Sequence, residues 1–342
     1  MPTTKATARK RHANAVKAAR TKPRRSSVPS RRAKMQHRPF GRTGWQVSEI
    51  GIGTWAMGGW WGPLDDRRSL AALRLALELG VNFIDTALVY GDGHGERLIA
   101  KVLKGRASRK PVYVATKIPP KNLEWPARAT TPLVAAFPAS WIVRCTEQSL
   151  RNLRVDCIDL QQFHVWTDRW LADSEWYETV QRLKQQGKIR QFGVSINDHE
   201  PGSALELVRS GLVDAVQVIY NIFDQAPAEQ LLPLCRAKKV GVIVRVPLDE
   251  GGLTGTLTPA TAFHVDDWRN RYFRGDRLRE TAERAGRLQF LIRDEITSLA
   301  QAALKFSLSH PAVSTVIAGM RRPEHVQANC AASDGRLLTR RE

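Results

Sequence analysis

Residues 82–117 read NFIDTALVYGDGHGERLIAKVLKGRASRKPVYVATK, and they contain the repeating unit of the chain. A short apolar and β-branched run, Asn82–Asp85, is followed by a helical pattern over Gly95–Leu103 and a second such run, Val112–Lys117. Two strands with a helix between them make a parallel βαβ crossover. The same alternation extends outward in both directions. Strands are expected at Glu49–Gly53, Cys157–Phe163, Ile189–Ser195, Ala215–Ile219, Gly241–Val246 and Ser314–Ala318. Helical patterns cover Asp66–Leu79, Ala139–Leu153, Glu175–Gln186, Gly202–Ser210, Ala226–Lys238, Glu295–His310 and Pro323–Ala332. Eight strand-then-helix units over about 280 residues match an α/β fold of the closed (β/α)8 TIM-barrel type in count and length. A doubly wound sheet is disfavoured, because no GxGxxG opens a first helix after a first strand. Upstream, RPFGRTGWQVSEIGIGTW places a Gly-containing turn between two short alternating runs, which predicts a β-hairpin before the barrel. The connections Ile118–Pro138 and Pro247–Asp294 are too long for simple barrel loops. Both follow strands, so both are expected to overhang the catalytic face.

Composition narrows the class. A hydrophobic share of 42% suits a substantial core. No apolar run approaches the roughly 20 residues of a membrane span and no secretion signal precedes the first strand, so the expected location is cytoplasmic. The four cysteines, Cys145, Cys157, Cys235 and Cys330, are scattered without a CxxC pair and read as reduced thiols, with no metal implied. Of the formal charge of +20, residues 1–34 carry twelve Lys and Arg and no acid, leaving +8 for the rest. That segment also lacks Leu, Ile, Phe, Tyr and Trp, so it is read as a disordered basic arm ahead of a barrel over residues 35–342.

Four strand ends carry the chemistry. Asp85 ends the second barrel strand with Tyr90 on the loop beyond it, Lys117 ends the third and His164 ends the fourth. All four should face one mouth of the barrel. A phenol with its free pKa of about 10 is a poor acid or base at neutral pH. A neighbouring Lys ammonium, held by a carboxylate, is expected to lower that value. A neutral His can donate a hydrogen bond to a substrate carbonyl oxygen.

At these residues the chain resembles the aldo-keto reductase family. The resemblance runs from about Met35 to about Asn329. It is carried by GRTGWQVSEIGIGTW, IDTALVYG, SLRNLRVDCIDLQQFH, GKIRQFGVS, DAVQVIYN, PLDEGGLTG and VIAGMRRPEHVQAN in barrel order. It implies a catalytic Asp85, Tyr90, Lys117 and His164 and NADPH as cofactor, with NADH as an alternative. Ser195, Asn197 and Gln217 match contacts to the nicotinamide carboxamide, although the usual Ser-Asn pair is interrupted here as Ser-Ile-Asn. Leu248, Gly252 and Leu253 match the segment over the pyrophosphate. Gly319, Met320 and Arg321 match the loop that holds a 2′-phosphate, and Asn329 matches an adenine contact. Arg245 stands where many relatives put an aromatic ring stacked on the nicotinamide, with Asp249, Glu250 or a phosphate as its alternative partner. Met35 looks like a natural family N-terminus, so residues 1–34 are read as either a misassigned start or an appendage.

The expected activity is NADPH-dependent reduction of an aldehyde or ketone to an alcohol, with Trp55, Trp60 and Trp61 lining an apolar pocket for the carbonyl substrate. The alternative is a cofactor-sensing or scaffold protein on the same barrel, like the potassium-channel β subunits. Binding to nucleic acid rests on the basic arm alone and is disfavoured; no membrane partner is expected, and the oligomeric state is open.

Overall fold

The computed structural model describes residues 34–105, 111–339 and 341–342. Ten strands order the chain: β1 (His37–Pro39), β2 (Gln46–Ser48), β3 (Ile50–Gly53), β4 (Phe83–Asp85), β5 (Tyr113–Ile118), β6 (Ile158–Phe163), β7 (Ile189–Ser195), β8 (Ala215–Ile219), β9 (Gly241–Arg245) and β10 (Thr315–Gly319). Strands β3 to β10 close a parallel barrel in sequence order, with β10 returning to β3. β1 and β2 form the antiparallel hairpin, paired His37↔Ser48 and Pro39↔Gln46. The fold is the (β/α)8 barrel with an N-terminal hairpin. The basic arm falls, save Lys34, outside the described residues.

Local chemistry accounts for the elements. The helix Asp66–Glu78 starts where the Asp65 side chain accepts the Arg68 backbone N–H at 3.0 Å. It buries Ala72, Leu73, Ala76 and Leu77, the spacing of one helical face. Leu299–Ser309 starts at Ser298 in the same way, and its buried residues pack toward β10. The patterns at Gly202–Ser210 and Ala226–Lys238 split. In each, a 3-10 turn beside a proline, Pro201–Ala204 or Ala226–Ala228, precedes a shorter α-helix. Proline suits such a first turn, because its φ is already close to helical and the N–H it lacks would have no partner there.

Inside the barrel, period two decides what goes where. The lower inward residues Phe83, Ala115, Leu160, Ala215, Ile243 and Ile317 form one apolar cluster with Phe40, Trp45 and Val47 of the hairpin. Phe40 stacks on Trp45 at 5.8 Å and meets Phe83 at 5.4 Å, so the hairpin plugs the floor. Two residues further along five of the same strands stand Asp85, Lys117, Gln162, Gln217 and Arg245, at the mouth. The two long connections extend from that end. Residues 119–138 bring Trp125 to the rim, and residues 247–294 carry the short helices Arg269–Tyr272 and Arg277–Gly286.

Candidate functional site at the barrel mouth

Register brings the polar layer together. Asp85 pairs with Ala115, Lys117 with Gln162, and Ser195 with Gln217. Lys117 Nζ donates to Asp85 Oδ1 at 2.5 Å and to the Thr86 carbonyl at 2.8 Å, and it lies 3.5 Å from the Tyr90 hydroxyl. Gln217 Nε2 donates to Asp85 Oδ2 at 2.7 Å. The pair is wholly enclosed, with side-chain exposures of 0% for Lys117 and 2% for Asp85. Such a pair persists only because each charge has the other and further hydrogen bonds. The Tyr90 and His164 rings meet edge to face at 5.8 Å, and His164 Nδ1 is buried without a partner. Gly58 allows the first-strand loop to lie against the Tyr90 backbone, since a Cβ there would stand 2.8 Å from the Tyr90 carbonyl carbon.

The electrostatics correct one expectation. Tyr90 is only part-buried as a residue, but burial of its phenol, and then the Asp85 charge, push its pKa up rather than down. The Lys117 ammonium is matched at close range by Asp85 and does not reverse this. Burial also drives the Lys117 pKa down, against the pull of Asp85. His164 is held well below the ordinary imidazole value by burial and by the Lys117 and Arg245 charges, so its ring is neutral at physiological pH. The site therefore holds a protonated phenol and a neutral imidazole beside a buried ion pair.

The residues matched to a cofactor sort into three groups. Ser195 and Gln217 stand buried side by side at the rim. Asn197 is turned away: its amide N–H groups go to the Ala127 carbonyl at 2.9 Å and Glu200 at 2.8 Å, while its oxygen accepts from Ala127 N at 3.0 Å. One donor and the oxygen thus hold the 119–138 connection at Ala127, and the other donor stays within its own loop. Leu248, Gly252 and Leu253 lie on a sharply turned segment in which Asp249, Glu250 and Gly251 all have positive φ. At Gly252 a Cβ would meet Thr281 at 2.5 Å, so only glycine fits the close approach. Gly319 is exposed, Met320 and Asn329 are buried, and Arg321 donates to the Trp61 carbonyl at 2.7 Å. Burial, with Arg322 and Arg269 nearby, lowers the Arg321 pKa, and Arg269 is itself paired with Asp267 at 2.6 Å. This surplus of positive charge fits a phosphate group.

Arg245 does not turn to Asp249 or Glu250. Its Nη2 donates to Asp198 Oδ1 at 2.6 Å and to the Ile196 carbonyl at 2.9 Å, and its Nε is buried without a partner. Trp55 meets Trp61 at 6.0 Å and Trp268 at 5.3 Å, whereas Trp60 is 49% exposed. Trp125, Trp268, Gln162 and Asp198 escaped the sequence reading. The two tryptophans sit in the long connections already expected to overhang the mouth, and Gln162 lies two residues beyond inward Leu160. Asp198 left no local signal. Among the described residues, no cluster of His, Cys, Asp and Glu is arranged to hold a metal ion, and no helix is long and apolar enough to cross a membrane.

Fold and mouth together define a barrel oxidoreductase with a proton-bearing polar layer. The family model described as "Aldo/keto reductase family" matches residues 49–341, and the chain belongs to that family of NAD(P)H-dependent oxidoreductases. It is 32% identical over 298 residues to aldo-keto reductase YhdN of Bacillus subtilis, covering 86% of this chain and 87% of the relative. An NADH-specific methylglyoxal reductase of Escherichia coli is 30% identical, with 87% of this chain and 93% of the relative covered. An aldo/keto reductase structure from Klebsiella pneumoniae in complex with NADP and acetate superposes with a TM-score of 0.65 at 25% identity, over 91% of this chain and 93% of that one.

Proposed function

We propose that this protein reduces an aldehyde or ketone to an alcohol with NADPH, Tyr90 acting as general acid. The reduced nicotinamide, when bound, supplies the hydride for the carbonyl carbon. Tyr90 passes its proton to the carbonyl oxygen, and a neutral His164 orients that oxygen by a ring N–H. Lys117 and Asp85 position the phenol; Lys117 also stabilises the phenolate as it forms. The observation that carries this reading is the Asp85–Lys117 contact of 2.5 Å, with the Tyr90 hydroxyl 3.5 Å from Lys117 and the His164 ring 5.8 Å from Tyr90. A purely structural ion pair would need neither the phenol nor the imidazole.

Ser195 and Gln217 are assigned to the carboxamide; Gln217 keeps its Oε1 as acceptor because its Nε2 serves Asp85. Arg245 is assigned to the face of the ring, and the backbone of Leu248, Gly252 and Leu253 to the pyrophosphate. Gly319, Met320 and Arg321 are assigned to the 2′-phosphate, and Asn329 to the adenine. Asn197 is assigned to holding the mouth loop. The surplus charge at Arg321 and Arg322 favours NADPH over NADH, as the Klebsiella complex with NADP also does; the NADH-specific relative keeps NADH as the second choice. Trp55, Trp61, Trp125 and Trp268 favour a substrate with an apolar or aryl body. Residues 1–34 are proposed to lie outside this chemistry.

Turnover of a panel of aryl and alkyl aldehydes and ketones, followed by NADPH and NADH absorbance, tests the reading. Oxidation of NADPH with matching alcohol formation is expected. Tight cofactor binding with no turnover on any carbonyl would replace it with the cofactor-sensing alternative.

A further inference from the structure

Arg245 is the last residue of β9, at the same rim as Asp85 and Ser195. Its charge lies close enough to be felt by Tyr90, Lys117 and His164 alike. Three carboxyl groups compete to balance it. Asp249 is engaged elsewhere, accepting the Tyr272 hydroxyl at 2.5 Å. Glu250 is buried, and that burial, with Asp249 beside it, pushes its pKa up to about 8, so it is mostly uncharged at pH 7. Asp198 remains, at 2.6 Å from Arg245 Nη2. With an exposed side chain and a guanidinium in contact it is ionised at neutral pH. Its turn is held on both sides: Asn197 is tied to Ala127, and His199 Nδ1 lies 2.5 Å from Asp224 Oδ2.

The next step rests on the proposed function, which puts the nicotinamide at this mouth. A ring that delivers hydride beside Tyr90 must approach the substrate carbon closely, and so lies near Arg245. That ring is a cation when oxidised and neutral when reduced. A bare guanidinium would repel the oxidised form alone, whereas a guanidinium paired with a carboxylate carries no net charge. We propose that Asp198, by neutralising Arg245, sets the balance of affinity between oxidised and reduced cofactor, making it a tuning residue outside the catalytic quartet.

The test uses the full chain and its tryptophan fluorescence, titrated with NADP⁺ and with NADPH at low salt. Asp198→Asn is expected to raise the ratio of the NADP⁺ to the NADPH dissociation constant about fivefold, which corresponds to about 1 kcal/mol. Arg245→Met, which leaves the Asp198 carboxylate unbalanced, should lower the ratio, and in that background Asp198→Asn should raise it back toward wild type. Asp198→Glu, which restores the carboxylate, should return the ratio toward wild type. An unchanged ratio in Asp198→Asn, with both cofactor forms still bound, overturns the inference while leaving the proposed function standing. A wild-type chain that binds neither form overturns the proposed function, and this inference with it.

Discussion

The floor and the mouth of this barrel are built from the same strands, two residues apart. At the floor, Phe83, Ala115, Leu160, Ala215 and Ile243 close on Phe40 and Trp45 of the hairpin, and the interior is apolar. At the mouth, Asp85, Lys117, Gln162, Gln217 and Arg245 follow on those same strands. There, among the described residues, Trp61 Nε1, Thr86 Oγ1, Gln162 Oε1, His164 Nδ1, Arg245 Nε and Trp268 Nε1 are buried without partners, against Thr315 Oγ1 at the foot of the barrel. A buried polar atom without a partner costs on the order of 1–3 kcal/mol. The mouth therefore bears a stability cost that the floor offsets, and its unpaired donors and acceptors suit a ligand. Holding the fold and the proposed chemistry fall to opposite ends of one set of strands.

Substitutions at the two ends should separate these roles. The largest effect on turnover is expected from Tyr90→Phe, which removes the proposed proton donor and little else. kcat should fall by about 10²–10⁴ while the NADPH dissociation constant and melting temperature stay near wild type. More than a tenth of wild-type kcat, with chemistry rate-limiting, would take the general acid away from Tyr90. Phe40→Ala is the converse. It opens a cavity where the side chain is fully buried and should cost about 3–5 kcal/mol, lowering the melting temperature by on the order of 10 °C. The folded fraction should keep its kcat; a parallel loss of kcat would mean that the floor also shapes the mouth.

Arg321→Ala should erase about ten- to a hundredfold of the preference for NADPH over NADH, the worth of a charge-assisted contact to phosphate. Loss of NADH affinity in the same measure would instead assign Arg321 to holding the Trp61 loop. A further effect is a pH dependence of stability at the mouth. Burial raises the Glu250 pKa in the folded state from 4.5 to about 8, so the folded chain holds this proton more tightly than the unfolded one. Stability is then greatest below the unfolded value and declines as pH rises through about 8. A thermal melt series from pH 5 to 9 should show this decline in the wild type and a flatter profile in Glu250→Gln. Identical slopes would remove Glu250 as its source.

Much of this was legible before any coordinates. Period two in the strands and the helical spacing between them gave eight units in barrel order, because both arise from steric preferences a few residues long. The same periodicity put Asp85 and Lys117 on the inner face, and the long connections marked the mouth. Two of the helical patterns begin with a 3-10 turn at a proline before the α-helix proper, a local feature that the pattern alone did not show.

Pairings between distant segments belong to the tertiary structure. Which carboxylate would meet Arg245 could not be read along the chain. Asp249 and Glu250 are near in sequence, but positive φ at Val246, Asp249 and Glu250 turns that segment, and Asp249 meets Tyr272. Asp198 arrives on the loop after β7, two strands away at the same end of the barrel. The direction of the Tyr90 shift was likewise settled by enclosure: a Lys117 charge matched by Asp85 and walled from water cannot offset the burial of the phenol. Sequence determined which groups each strand carries to the mouth, through short-range periodicity. Closure of the barrel and the course of its long loops decided which of them touch and how deeply they are buried, and partner and burial are what set their charge.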